Sequence, residues 1–207
     1  MIHIIRAWLD IIFPPSVHEL ILRHFLPTNF QKFYHLQKQG NVQILSNYHI
    51  PAVQAAITAC KFENNQRAAV LLNTLLYTWL IELPKMETVL IGIPLSRKRL
   101  KKRGFNQVER VMEKLPVLPF PCTVCHNLLF RPNDTKPQTS LNRKERLSNM
   151  KGAFAIKKKY LEKIENCPRV IICDDVLTTG ATLEAAKAAL WPHLPPKTEL
   201  LCVAFAH

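Results

Sequence analysis

A chain of 207 residues with 48% hydrophobic content can bury one sizeable core, and 5 Gly with 15 Pro exclude a disordered or collagen-like composition. The formal net charge of +13 is unevenly placed: residues 91–159 hold 17 basic and 4 acidic side chains, residues 160–207 hold 4 and 6. No apolar run approaches the roughly 20 residues of a bilayer span, so a membrane span is excluded and a polyanionic ligand is implied.

In chain order, the opening MIHIIRAWLDIIFPP is apolar but broken by Arg6 and Asp10, with no small-residue cleavage site, which argues against a signal peptide. Ile2, Ile5, Leu9 and Ile12 fit one helix face that docks on the rest of the fold. Residues 51–62 and 66–83 read as helices, the second with Leu71, Leu72, Leu75, Leu76, Trp79 and Leu80 at helical spacing and closed by Pro84. The apolar run 88–93, ended by Pro94, reads as a buried strand. A helix is expected over 106–115, a proline-rich connection over 116–121, strands over 123–130 and 153–156, and a long polar loop over 131–149. Residues 170–173 form the clearest strand, followed by a helix over 183–191 and a closing strand over 200–205. Alternating strands and helices predict an α/β fold with a mainly parallel sheet.

Six cysteines are scattered, and Cys173 and Cys202 stand inside strand-like runs where Cys acts as a small hydrophobe. That usage predicts a reducing, cytoplasmic setting. Cys122 and Cys125 form a lone CxxC beside His126, half a zinc site without its two partners, so no zinc is expected.

The chemistry concentrates in VIICDDVLTTGATLEAA, residues 170–186. Asp174 and Asp175 lie just past a strand end, where ligands of open parallel sheets sit. Thr178, Thr179, Gly180, Ala181 and Thr182 then lead into a helix, whose unpaired N–H groups and positive dipole end suit a phosphate. Carboxylates repel phosphate and accept hydrogen bonds from hydroxyls, or hold a hydrated Mg²⁺. A phosphate beside vicinal hydroxyls describes a ribose 5-phosphate. Taken singly, each residue also fits the capping of a turn or helix; the ordered set favours the ligand.

CDDVLTTGAT resembles the phosphoribosyl pyrophosphate (PRPP) motif of type I phosphoribosyltransferases. Lys61-Phe62, Ile93-Pro94-Leu95, Arg103-Gly104-Phe105-Asn106-Gln107, Leu129-Phe130-Arg131, Gln138, Arg146, Asn149 and Gly152-Ala153-Phe154 follow in order. Together they resemble the ComF/GntX family, competence-associated phosphoribosyltransferase-like proteins, over residues 45–207. The resemblance implies a type I phosphoribosyltransferase-like fold with a hood and a flexible loop. It implies that Asp174 and Asp175 hold ribose and that residues 178–182 hold the 5-phosphate. Pro94, Leu95 and Ser96, helped by Arg97 or Arg103, would approach pyrophosphate, with Mg²⁺ carried by PRPP and no metal ligand of the protein's own. Arg131, Gln138, Arg143 and Arg146 are the flexible-loop candidates. Members commonly open with a zinc-binding cysteine module; here Val17 and Leu20 stand where a CxxC is expected, so residues 1–44 are read as a zinc-free helical appendage.

Two functions compete, and a PRPP-sensing regulator ranks behind them for want of a DNA-reading helix-turn-helix signature. The first is PRPP or ribose 5-phosphate binding linked to DNA uptake, with single-stranded DNA on basic residues 97–103 and 131–159 and competence or recombination proteins as partners. The second is phosphoribosyl transfer to an amine or nucleobase with release of pyrophosphate. No acid/base constellation marks an acceptor, and His126, His193 and His207 read as structural or solvent-exposed. Phe105 is the main aromatic among the basic residues, a shortage that argues against a base-stacking platform.

Overall fold

The computed structural model describes residues 14–132 and 152–207. Seven helices are described: α1 (Val17–Leu22), α2 (Pro27–Phe30), α3 (Pro51–Phe62), α4 (Gln66–Glu82), α5 (Arg97–Arg103), α6 (Gln107–Met112) and α7 (Ala181–Leu190). The strands are β1 (Gln37–Gln39), β2 (Val42–Ile44), β3 (Thr88–Gly92), β4 (Cys122–Val124), β5 (Leu129–Phe130), β6 (Ala155–Ile156), β7 (Arg169–Val176) and β8 (Glu199–Ala206).

Six strands form one sheet in the order β1-β2-β8-β7-β3-β4. Only the β1–β2 pair is antiparallel; β2–β8, β7–β8, β3–β7 and β3–β4 are parallel. The α/β class expected from the alternating pattern is therefore present. β7 is apolar on both faces because both are covered: Ile171 and Cys173 join the core under α3, α4 and α6, while Val170 and Ile172 join the core under α7. Gly92 at the end of β3 allows close helix packing, since a Cβ there would stand 3.0 Å from Met112 Cε on α6. β5 and β6 pair apart from the main sheet, so the single strand expected over 123–130 is in fact two, β4 and β5, in different sheets.

The expected boundary at residue 45 is not visible as a break in packing. β2 hydrogen-bonds to β8 within the main sheet. Leu22 and Phe30 are fully buried in the same core as α3 and α4. Arg67 of α4 donates to the carbonyls of Leu22 (3.0 Å) and Phe25 (2.6 Å), pinning α1 and its exit.

The basic run 97–103 is a helix, although i,i+4 like charges oppose one. Its ends supply what its side chains do not: Ser96 accepts the Arg99 N–H at the N-cap, and Gly104 closes the other end with φ +82°. Three cations in its last turn also oppose the negative end of the helix dipole.

Among the described residues no helix is long and apolar enough to cross a membrane. All six cysteines are free thiols, and no group of three or more His, Cys, Asp or Glu among the described residues is placed to hold a metal ion.

Candidate functional site

β7 runs past its apolar core to include Asp174 and Asp175, whose neighbour β3 ends one register earlier. The Ile93 N–H donates to the Cys173 carbonyl (2.9 Å), so the loop after β3 leaves the sheet directly beside the two acids. A cavity of about 550 Å³ opens there. It is lined by Asp174, Asp175, Thr178 and Thr182 from β7 and the turn into α7, and by Pro94 and Leu95 from the loop after β3.

The two acids are not equivalent. Asp175 is buried, and its Oδ2 accepts from Lys61 Nζ (2.9 Å) and Gln107 Nε2 (2.6 Å). Gln107 is held in turn by a hydrogen bond from the Arg103 guanidinium to its Oε1. Asp174 accepts the Asp175 backbone N–H (2.8 Å) and remains partly open to the cavity. Its position deep in the fold, and then the adjoining Asp175 charge, push the Asp174 carboxyl up to about 7. Lys61 and Arg131 oppose that rise.

The loop 94–96 is gripped from two sides. Asn106 donates its side-chain amide to the Ile93 carbonyl (3.0 Å) while its Oδ1 accepts the Val108 N–H (3.1 Å) at the start of α6. Arg131 donates to the Pro94 carbonyl (2.9 Å) and lies over the Phe154 ring, 4.6 Å from its centroid. Burial lowers the Arg131 pKa and Asp174 raises it. Residues from the two-stranded sheet and its flanks thereby fix the backbone that faces the acids.

At the start of α7, Gly180 takes φ +78°, a left-handed conformation that costs a glycine little. Thr179 Oγ1 accepts weakly from the Ala181 N–H at 3.5 Å. Thr178 and Thr182 border the cavity; between them Gly180 is the N-cap of α7 and Ala181 its first residue.

Of the residues singled out from sequence, the fold brings Asp174, Asp175, Thr178, Thr182, Pro94, Leu95, Arg103 and Arg131 to one cavity. Ser96 is buried and caps α5, and Arg97 faces a neighbouring smaller cleft with Leu100, Phe130 and Lys157. Gln138, Arg143 and Arg146 lie outside the described residues. Sequence reasoning missed Lys61, Arg99 and Gln107 as lining residues, together with Tyr48, His49 and His207. The Lys61-Phe62 and RGFNQ segments were the available signal for two of these. His207 is solvent-exposed, as expected, yet it borders the cavity.

Lys61, Arg99, Arg103 and Arg131 outnumber the two acids in the lining. The local field thus suits a ligand with several negative charges, and the acids can meet its hydroxyls without governing the field. Burial and then the Asp175 charge push the Cys60 thiol up to about 12, which favours its protonated form.

No family model matches the chain. It is 31% identical to competence protein F of Haemophilus influenzae over 150 residues, 68% of this chain and 62% of that one. It is 36% identical to competence protein ComFC of Bacillus subtilis over 107 residues, 52% of this chain and 40% of that one. The chain thus spans less than two thirds of the length of either relative. Among solved structures, a hypoxanthine phosphoribosyltransferase from Staphylococcus aureus aligns over 86% of this chain and 69% of its own, at 17% identity and a TM-score of 0.31.

Proposed function

The chain belongs to the ComF family, and from that premise we propose that its cavity binds PRPP or ribose 5-phosphate with Mg²⁺ and that the protein handles single-stranded DNA during uptake. One observation carries the ligand reading: a ribose-type acid pair and the N-terminal turn of α7 open into the same cavity, ringed by Lys61, Arg99, Arg103 and Arg131. The 5-phosphate would meet residues 178–182 and the helix end, where N–H groups and the dipole favour an anion. Asp174 would accept ribose hydroxyls, with Asp175 held behind it by Lys61 and Gln107.

The donor set suits Mg²⁺ in a limited way. This ion keeps several waters and is commonly held through one or two carboxylates plus substrate phosphates. PRPP would supply the phosphates that carry the ion, and Asp174, the more open acid of the pair, would face its waters. When bound, Mg²⁺ would neutralise charge on the diphosphate.

Thermal denaturation tests the ligand. PRPP with Mg²⁺ should raise the melting temperature, by about 2.7 kcal/mol of stabilisation at a hundredfold excess over Kd. No rise at millimolar PRPP removes the reading.

Phosphoribosyl transfer is a second reading. It is favoured by Arg131 and Asn106, which hold the loop 94–96 rigidly beside the acids, as a preorganised diphosphate site requires. Pyrophosphate release measured across amine and nucleobase acceptors tests it; release with no acceptor above the buffer rate rules turnover out.

A further inference from the structure

The aromatic that the basic segment lacks is supplied by another part of the fold. Phe62, the last residue of α3, is 68% exposed. The Arg103 guanidinium of α5 stands 5.3 Å from its centroid. Phe105, inside the basic segment, is half-buried by comparison.

The ring sits beside a helix with no buried residue. Six of the seven α5 side chains are cationic. Among the described residues, no carboxylate comes within ion-pair distance of Arg97, Lys98, Arg99, Lys101 or Lys102. Three i,i+4 cation pairs along α5 repel one another, so a polyanion laid along it relieves a cost built into the fold. An exposed ring with Arg103 over one face, at the end of a cationic helix, offers a single strand two contacts: phosphates pair with the cations and a base stacks on the ring's other face. A duplex keeps its bases stacked internally and gains nothing from the ring.

We propose that Phe62 is the base-stacking anchor of a single-stranded nucleic-acid site whose phosphate track is α5. This rests on the nucleic-acid part of the reading above; Arg99 and Arg103 of α5 also line the cavity, so strand and PRPP share part of one surface. Arg103 joins the two regions, contacting Phe62 on one side and Gln107, the partner of Asp175, on the other. The strand therefore runs along the rim of the ribose site.

The test is fluorescence anisotropy of a labelled oligothymidylate at low salt, against wild type, Phe62→Ala and Phe62→Trp, with a duplex of equal length and a single-stranded oligouridylate as parallel probes. Phe62→Ala should weaken both single strands about 5- to 150-fold, the range of one lost base stack. It should leave the duplex unchanged, and Phe62→Trp should restore binding with quenching of the added indole by the strand. The substituted side chain is mostly in solvent, so folding is preserved, and the melting temperature verifies this. Wild type that fails to bind either single strand overturns the nucleic-acid reading and the anchor together. Wild-type binding that survives Phe62→Ala, a loss shared equally by the duplex, or an unquenched Trp overturns the anchor alone.

Discussion

Lys61 Nζ lies 2.9 Å from Asp175 Oδ2, so one of two adjacent acids has a counter-ion drawn from a helix more than a hundred residues earlier in the chain. Asp174 lines the cavity beside it and is the more open of the two. The acid pair is split into a more open member and a member tied to the scaffold, and the two should respond differently to substitution.

Asp174→Asn should abolish the PRPP-dependent rise in melting temperature while leaving the unliganded protein at least as stable as wild type, because it removes a carboxyl whose charge burial disfavours. Asp175→Asn should lose the same rise and also lower the unliganded melting temperature, since Lys61 and Gln107 lose their shared acceptor. Differential scanning calorimetry with and without PRPP and Mg²⁺ reads both. Equal effects on the unliganded protein would contradict the division.

Lys61→Met leaves a buried Asp175 with Gln107 as its side-chain hydrogen-bond donor and Arg103 as a more distant cation. Lys61 is partly exposed, so the cost is set below that of a fully buried pair, at roughly 2 kcal/mol, or a fall of about 4–8 °C in melting temperature. Lys61 also holds the Asp174 carboxyl down, so its loss should move the pH dependence described next to higher pH.

The raised Asp174 carboxyl fixes the sign of a pH effect. Its folded pKa of about 7 exceeds the ordinary value of 3.8. The stability it contributes is therefore fully present below about 4 and is lost as pH rises through about 7. Ligand binding through the ionised carboxylate runs the other way, strengthening as pH rises through about 7 with release of a proton. Calorimetric titration in buffers of different ionisation enthalpy should detect that proton in wild type. The component that disappears in Asp174→Asn separates it from titration of the ligand's own phosphates.

Gly180→Ala should cost about 1–2 kcal/mol, since an L-residue must hold φ +78° there. Space is not the obstacle: the new methyl would meet Leu177 Cδ1 at an ordinary 3.7 Å. The turn into α7 must shift to relieve the backbone, so the PRPP-dependent melting shift should shrink by more than stability falls. A shift kept at its wild-type size would remove the turn from the site.

Lys98, Lys101 and Lys102 are exposed on α5 and outside the cavity lining. Replacing all three with Gln should flatten the salt dependence of oligothymidylate binding, changing the slope of log K against log salt by about 2. The PRPP-dependent melting shift should stay as it was.

The amino-acid sequence by itself determined the parts of this protein that are local. The acids, the small-residue turn and the helix after them are consecutive, so strand, turn and cap chemistry can be read in one pass along residues 170–186. The two long helices were legible because a 3.6-residue apolar period reports which face will be covered. The span of α5 escaped that reading because it has no apolar period; its caps, Ser96 and Gly104, hold it against its own charge. Strands of three residues, such as β2, carry too little pattern to announce the sheet they join. Tertiary structure alone decided which distant residues share the site. Parallel strands deliver their carboxyl ends to one edge of the sheet, and only there do Lys61, Gln107 and Arg103 meet Asp175, and Phe62 meet the basic helix. A carboxylate's counter-ion is chosen by distance in space, and separation along the chain holds no record of that distance.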